Sequence, residues 1–404
     1  MARDPVTVIV GGSHAGVQCA LTLARLAPER KIVVLESDRS PPYERPPLSK
    51  AVLAGGSAKE IRKCAVYDKH GIELRLGAKV EAIDRASARV NIDGGGPIAY
   101  DSLLLATGAT PRYPRIPGTE LEGVRTLRAL DDATWLYSRL AAGSKLVIVG
   151  GGFIGLEAAA AAAKAHVKVT VIEAANRVLA RVTNEVVSRY FESLHAANGV
   201  QICLEKSLSI IEGSNGQVEA VVTSDNTRLE ADVVLIGIGV VPRQELAVAA
   251  GLDCDDGILV DRYCRTSDAN IFAAGDVTRH ENLAVGRRVR LECVQNAVSQ
   301  GDVAANNMCG IALEYNEVPW FWTEQFDVRM QSAGIPGPAD QVLIRGDPAS
   351  NRFSVLYLSD HVVTAIDTIN CLSDFGNAKR LIQNRTPIDI GLAADPSHPL
   401  NNIG

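Results

Sequence analysis

At 404 residues, with 47% hydrophobic and 22% charged side chains, the chain has the composition of a globular protein of two or three domains with well-filled cores. A formal net charge of -6 argues against general nucleic-acid binding, and no apolar run approaches the roughly 20 residues that a membrane-spanning helix needs. The opening Met1-Ala-Arg-Asp-Pro-Val6 holds no apolar signal core, and eight scattered cysteines form no CxxC or CxxxxC pair, so a cytoplasmic setting with neither metal site nor disulfide framework is expected.

Residues 6–10 form a short apolar run that meets Gly11-Gly-Ser-His-Ala-Gly16, then a helical segment to about Leu26 and a second apolar run, 32–35, ending at Glu36. Strand, glycine turn, helix, strand and acid is the order of a dinucleotide-binding unit. Ser13 stands where a glycine would let the backbone come nearest a pyrophosphate. Serine is small and Gly12 beside it is adaptable, so a working site with slightly altered turn geometry is expected.

Pro41-Pro-Tyr-Glu-Arg-Pro-Pro-Leu-Ser-Lys50 follows. Its four prolines predict a stiff, extended loop that holds Arg45 and Lys50 towards a ligand, the alternative being a surface loop with two solvated cations. Residues 71–91 read as short strands with Leu74, Leu76, Val80 and Ile83 inward, and Gly94-Gly-Gly96 reads as a hairpin turn. Leu103-Leu-Leu-Ala-Thr-Gly108 reads as a buried strand ending in a glycine turn, and Pro111, Pro114 and Pro117 mark a crossover into a second domain.

Residues 145–157, Lys-Leu-Val-Ile-Val-Gly-Gly-Gly-Phe-Ile-Gly-Leu-Glu, repeat the first motif with all its glycines. Gly150 permits the tight turn, Gly152 the approach to pyrophosphate, and Gly155 the close packing of helix on strand. The helix start turns its partial positive charge to the phosphates, and Glu173, at the end of the next apolar run, can accept from ribose hydroxyls. The helix is expected to end at about Ala165, with His166 in the left-handed cap position. Arg177 and Arg181, four apart, read either as a solvated basic face or as contacts to a nucleotide, and the second is favoured.

Residues 231–242 form an apolar run carrying Gly237 and Gly239, and Pro242-Arg243 marks the return to the first domain. Asp276 follows a buried run and Gly275, and Arg287, Arg288 and Arg290 make a small basic cluster. Trp320-Phe-Trp322 opens a strand-rich tail and reads as an aromatic cap over a planar ligand or as ordinary core. The expected fold class is α/β: two Rossmann-like dinucleotide-binding domains of three-layer ββα type, glutathione-reductase-like, plus a C-terminal α+β domain. Expected bounds are 1–113 with 243–319, 114–242, and 320–404.

With these residues in hand, the chain resembles the pyridine-nucleotide-dependent ferredoxin reductases of the putidaredoxin reductase type, in the glutathione-reductase structural group. The likeness spans essentially the whole chain and rests on Arg45-Pro-Pro-Leu-Ser-Lys50, Ala106-Thr-Gly108, Gly151-Gly-Phe-Ile-Gly-Leu-Glu157, Gly275-Asp276, Val294-Gln-Asn-Ala297 and Pro319-Trp-Phe-Trp322. The resemblance implies FAD on the first unit, through Gly11, Ser13, His14, Ala15 and Gly16, with Glu36 or Ser37 at the adenosine ribose. Many relatives carry their acid at the position of Ser37; Glu36 is well placed at the strand end and is favoured. It further implies Lys50 near the flavin and paired with Glu157, and Arg45 facing the same ligand. Val80 and Arg128 would lie beside the adenine, Asp276 on the ribityl chain, Val294 at the pyrimidine edge and Trp320 close to the isoalloxazine. For NADH the matching positions are Gly150 to Gly155, Gly152, Phe153 and Ile154 among them, with Glu173 and Gly239, Arg181 joining them on the reading of its own segment, and a carboxylate at 173 would repel a 2′-phosphate, favouring NADH over NADPH.

The implied reaction is hydride transfer from NADH to the flavin, then single-electron transfer to an acidic [2Fe-2S] ferredoxin serving a cytochrome P450 or ring-hydroxylating dioxygenase, with Lys50, Glu157 and Trp320 nearest the chemistry. No cysteine lies between Glu36 and Lys50, which counts against disulfide, peroxide or coenzyme A disulfide reduction. Cations at Arg287, Arg288, Arg290, Arg329 and Arg352 are candidates for docking an acidic partner, with activity weakening as ionic strength rises. The alternatives are a rubredoxin reductase or NADH oxidase, and a slow-turnover NADH-sensing flavoprotein resembling apoptosis-inducing factor, for which the altered Ser13 turn is the only hint.

Overall fold

The computed structural model describes residues 4–402, which divide into two compact units. The first comprises residues up to 44, 59–110 and 241–321. Its centre is a parallel five-stranded sheet in the order Ile271–Ala273, Ser102–Leu105, Val6–Val10, Lys31–Glu36, Ile72–Leu76. These strands are apolar on both faces because both are covered. Ile9, Ile32, Val34 and Leu104 pack with Leu23 of helix His14–Leu26 and Ala304 of helix Val294–Met308. The alternate residues Val8, Val33, Leu103 and Leu105 pack with Val80, Ile83 and Val90 of a small antiparallel sheet. The period of two along each strand thus sets up three layers.

The second unit comprises residues 45–58, 111–240 and those from 322 on. It repeats the plan with a parallel sheet ordered Gln201–Cys203, Lys168–Ile172, Lys145–Val149, Val233–Ile236, Val124–Arg125. Val147, Val149, Val234 and Ile236 pack with Ile211 and Val221 of the antiparallel strands Leu208–Ser214 and Gln217–Thr223. A further antiparallel sheet, ordered Trp320–Gln325, Val328–Gly334, Val362–Ile369, Arg352–Ser359, Gln341–Asp347, forms the C-terminal portion with helix Leu372–Asn384. Its Met330, Phe353 and Val355 share a core with Leu156, Val187 and Phe191 of the dinucleotide half.

A polar tie crosses that same core. Asp367, 3% exposed, accepts from Thr183 Oγ1 and Ser332 Oγ at 2.5 Å each and from Tyr357 OH at 2.7 Å, while Tyr357 OH accepts from Asn184 N at 3.1 Å. Burial pushes the Asp367 carboxyl above its ordinary range, and three hydroxyl donors satisfy what burial would otherwise leave unpaired.

Several local expectations change. Pro46–Ser49 is a single 3-10 turn rather than extended chain, because the fixed φ of proline suits a first helical turn as well as an extended loop. Leu76 is 37% exposed, at the end of the edge strand, whereas Val80 and Ile83 are buried. The 231–242 run is interrupted after Ile236 and turns at Gly239, φ +103°, before Val240–Pro242. His166 does adopt the left-handed conformation, φ +59°, after helix Phe153–Lys164. Gly94-Gly-Gly96 sits in the turn between the antiparallel strands Arg89–Ile92 and Ile98–Ala99.

Candidate functional site

The two glycine turns share the same main construction. Gly11 and Gly150 take φ of +108° and +107°, a region that favours glycine, as each strand ends. A Cβ on Gly16 would lie 1.9 Å from Gly11 O, and one on Gly155 would lie 2.3 Å from Gly150 O, so each helix touches its strand with no room for a methyl group. Gly12 N donates to Glu36 Oε2 at 2.6 Å and Asp38 N to Oε1 at 2.8 Å. In the second unit Gly151 N donates to Glu173 Oε2 at 2.7 Å and Ala175 N to Oε1 at 2.8 Å. Each acid therefore pins its own glycine turn and keeps further lone pairs for ligand hydroxyls.

Ser13 and Gly152 occupy the same helix-capping position with ordinary extended backbone, φ −99° and −82°. The extended φ of −99° at Ser13 is one that any residue adopts, so the serine puts no strain on the backbone of the first turn. Neither helix has an acidic residue in its first turn, and both starts suit a pyrophosphate. Ser37 Oγ donates to Glu36 Oε1 at 3.3 Å, so Glu36 holds the turn and Ser37 supports it.

In the first unit, His14 and Ala15 begin helix His14–Leu26 and Val294 begins helix Val294–Met308. Gly275, φ +85°, carries the chain to Asp276, and a Cβ on it would stand 3.3 Å from that of Ala15. Val80 is 7% exposed with its side chain in the core, leaving only its backbone for a ligand. Trp320 is partly buried at the start of strand Trp320–Gln325. Composition gave no signal for Gln300. Its Oε1 accepts from Gly275 N and Thr278 Oγ1 at 2.8 Å each, and its Nε2 donates to His280 Nδ1 at 3.1 Å. His280 is 2% exposed, and burial pushes it down to about 4, consistent with a neutral ring that accepts at Nδ1.

In the second unit the Pro46–Ser49 turn presents two groups to Glu157, which lies on helix Phe153–Lys164. Lys50 Nζ is 2.7 Å from Glu157 Oε2, and Ser49 Oγ donates to the same oxygen. Thr323 Oγ1 donates to Glu157 Oε1 at 2.6 Å. Ser49 and Thr323 are absent from the sequence-derived candidates. Ser49 adjoined a named residue, while nothing local marks Thr323. Arg45 Nη1 donates to Arg128 O at 2.7 Å, and Asp132 accepts from Arg128 N and Ala129 N at 2.9 Å each, so Arg45 and Arg128 are joined through backbone.

Residues 174–184 are not helical, so Arg177 and Arg181 do not share a helix face. Arg177 spends its guanidinium on Thr183 O, Ala180 O and Ser188 Oγ, holding its own loop together. Arg181 instead reaches Gly239, where a Cβ would be 3.6 Å from its Nη2. Phe153 and Ile154 open the second helix, Ile154 being 41% exposed. Of the cations considered for docking, Arg290 is held between Asp256 and Glu292 at 3.3 and 2.5 Å and is not available to a partner, whereas Arg287 and Arg288 are exposed on strand Arg287–Val289. Arg329 lies 3.8 Å from Glu324, and Arg352 is exposed.

Residues 6–301 match the family model described as pyridine nucleotide-disulphide oxidoreductase, and residues 320–404 match the reductase C-terminal model. The chain belongs to the pyridine nucleotide-disulphide oxidoreductase family. Within that family it is 40% identical to putidaredoxin reductase of Pseudomonas putida, over 100% of this chain and 97% of that protein. It is 42% identical to the ferredoxin–NAD(+) reductase component of the anthranilate 1,2-dioxygenase system of Burkholderia cepacia, over 98% of each. Among solved structures it is similar to the reductase in a covalent putidaredoxin reductase–putidaredoxin complex, with 38% identity and a TM-score of 0.96 over 99% of this chain and 98% of that one. The family's two-nucleotide plan accounts for the two equivalent glycine turns. No helix among the described residues is long and apolar enough to cross a membrane.

Proposed function

We propose that this chain is an FAD-dependent NADH:ferredoxin reductase, passing electrons to a [2Fe-2S] ferredoxin that serves a cytochrome P450 or a ring-hydroxylating dioxygenase. The observation that carries the reading is the duplicated, acid-pinned glycine turn, one per nucleotide, in a chain whose second unit also sets Lys50 against Glu157. A relative at 42% identity named as the ferredoxin–NAD(+) reductase component of a dioxygenase system supports it over the oxidase and sensor alternatives, and a rubredoxin–NAD(+) reductase of Pseudomonas putida is less similar, 36% identical over 90% of this chain. Eight free cysteines suit a reducing cytoplasm. A three-domain division, with residues 1–113 and 243–319 binding FAD, 114–242 binding NADH and 320–404 following, belongs to the same reading.

FAD would be held by the Gly11–Gly16 turn, Glu36, Arg45, Lys50, Val80, Arg128, Asp276, Val294 and Trp320, and NADH by the Gly150–Gly155 turn, Glu173, Arg181 and Gly239. When bound, the flavin supplies the step the side chains cannot, accepting two electrons as hydride and releasing them one at a time. The protein's part is placement. Lys50, its side chain 20% exposed, keeps a fixed ammonium because Glu157 anchors it at 2.7 Å. Glu157 is 6% exposed, and a buried carboxylate stripped of one partner costs about 3–5 kcal/mol, which keeps the pair together.

The direct test is stopped-flow spectroscopy with NADH and a purified [2Fe-2S] ferredoxin. Fast bleaching of the flavin followed by fast reoxidation on adding ferredoxin is expected; reoxidation by dioxygen alone would mark an oxidase instead. Cofactor choice has its own test at Glu173. Glu173→Gln keeps an acceptor for one of the two N–H groups, Gly151 N or Ala175 N, and removes the charge that would repel a 2′-phosphate. The NADH/NADPH ratio of kcat/KM is expected to narrow by roughly tenfold, about 1.4 kcal/mol. An unchanged ratio would move the discrimination to another residue.

A further inference from the structure

The carboxylate of Glu157 is held by more than Lys50. Among the described residues, Oε2 receives Lys50 Nζ and Ser49 Oγ, and Oε1 receives only Thr323 Oγ1, at 2.6 Å. A carboxylate cannot donate, so the single hydroxyl proton of Thr323 must point at Glu157. Its oxygen is then free to accept, and Gln325 Nε2 donates to it at 3.2 Å. That fixes the amide of Gln325 with Oε1 turned outward, 2.8 Å from His195 Nε2. The imidazole must therefore carry its proton on Nε2. Its Nδ1 is buried without a partner, and burial, the larger cause, holds the ring below the ordinary histidine range, which favours the neutral form.

The result is a one-way chain of hydrogen bonds, His195 to Gln325 to Thr323 to Glu157, in which each donor points towards the carboxylate. His195 is fully buried, and Thr323 and Gln325 are each 1% exposed. In so dry a setting each bond polarises the next, and the last one is strengthened by the negative charge it meets. The strand explains the placement. Thr323 and Gln325 are two apart on strand Trp320–Gln325 and so share one face, with helix Glu185–Ala197 bringing His195 to the end of the row.

We propose that Thr323, backed by Gln325 and His195, is a positioning residue that locks the rotation of the Glu157 carboxylate and thereby the place of the Lys50 ammonium. The inference rests on the reading of Lys50 and Glu157 as the flavin-side pair. With each oxygen held by its own donors the carboxylate cannot swing; with Oε1 released, it can turn about its last bond and take Lys50 with it. The role is one of orientation. It should appear in the rate of flavin reduction rather than in NADH binding, because neither Thr323 nor Gln325 belongs to the glycine turn or to the loop after Glu173.

The test uses the FAD-loaded protein. Thr323→Val keeps the shape and removes the donor, and Thr323→Ser restores the donor. In Thr323→Val the rate of flavin reduction at saturating NADH is expected to fall about tenfold with KM for NADH within about twofold of the parent, and Thr323→Ser to recover most of it. A crystal structure of Thr323→Val is expected to show Lys50 Nζ and Glu157 Oε2 parted from their 2.7 Å contact. If Thr323→Val does not fold, His195→Leu and His195→Gln probe the chain from its far end, Leu slowing reduction and Gln, which keeps a donor near the Nε2 position, restoring it. Thr323→Val at the parental rate with the contact intact, or a serine variant as slow as valine, overturns the proposal. Lys50→Gln and Glu157→Gln are run alongside. If they leave flavin reduction untouched, it is the reading of the pair that fails, whatever Thr323 does.

Discussion

The Gly16→Ala variant is expected to purify as a colourless protein, while Gly155→Ala remains yellow but takes up NADH poorly. The same methyl group is added at the same place in two equivalent turns, and only the ligand differs. On Gly16 the new Cβ would stand 1.9 Å from Gly11 O and 3.1 Å from Ile9 Cγ2; on Gly155 it would stand 2.3 Å from Gly150 O and 3.2 Å from Ile148 Cγ2. Neither close neighbour is a flexible side-chain end. Relief requires the helix to move away from its strand, which carries the N–H groups of its first turn out of reach of a phosphate. A loss of about 3 kcal/mol, roughly a hundredfold in Kd, is expected for each ligand. Flavin-to-protein absorbance ratios read the first variant, and the NADH-concentration dependence of the flavin-reduction rate reads the second. Loss of flavin from Gly155→Ala with normal flavin in Gly16→Ala would exchange the two assignments.

Lowering the pH from 7 to 5 is expected to cost this protein about 2 kcal/mol of stability through His280 alone. Burial pushes that imidazole from 6.5 down to about 4, so the unfolded chain takes up a proton over a range in which the folded chain does not. The contribution is complete above pH 6.5 and is lost as the pH falls towards 4. His195, lowered by the same cause, acts in the same direction. Asp367 acts the other way: burial raises its carboxyl, so its contribution is complete below the ordinary carboxylate value and fades as the pH rises through the folded one. In His280→Asn, Oδ1 can take over the acceptor role of Nδ1 towards Gln300 without titrating. Urea unfolding of the FAD-loaded protein at pH 7 and pH 5 should then show a smaller difference than the parent, with a constant offset from the lost ring contact with Tyr315. Equal differences in the two proteins would remove His280 as the source.

The glycine turns and their acids were legible because each is a local backbone problem. A chain that leaves a strand, turns back within a few residues and starts a helix needs glycine where φ is near +108° and where a helix touches a strand. The left-handed cap at His166 was legible for the same reason. Continuous apolar runs announced strands covered on both faces, and the return of the pattern after residue 145 announced a second unit.

The Lys50–Glu157 pair could be anticipated only through resemblance, since 107 residues separate its partners and nothing in either neighbourhood names the other. The proline-rich stretch shows why. Each proline fixes its own φ and biases the residue before it towards extended chain, yet a fixed φ of about −65° also suits a first helical turn, and the 3-10 turn at 46–49 is what carries Ser49 and Lys50 to Glu157. Arg177 and Arg290 looked like free cations because a sequence lists charges and not their partners; one is spent on loop carbonyls and the other on two carboxylates.

The sequence by itself therefore determined where the backbone must turn, which residues line the covered faces of the sheets, and that the dinucleotide plan occurs twice. The tertiary structure alone decided which polar groups meet: Gln300 on Gly275, and Thr323, Gln325 and His195 in line behind Glu157. The division has a physical cause. Backbone conformation and burial period are set by residues within a few positions of one another, whereas a buried hydrogen bond joins whichever donor and acceptor the packed elements bring within about 3 Å.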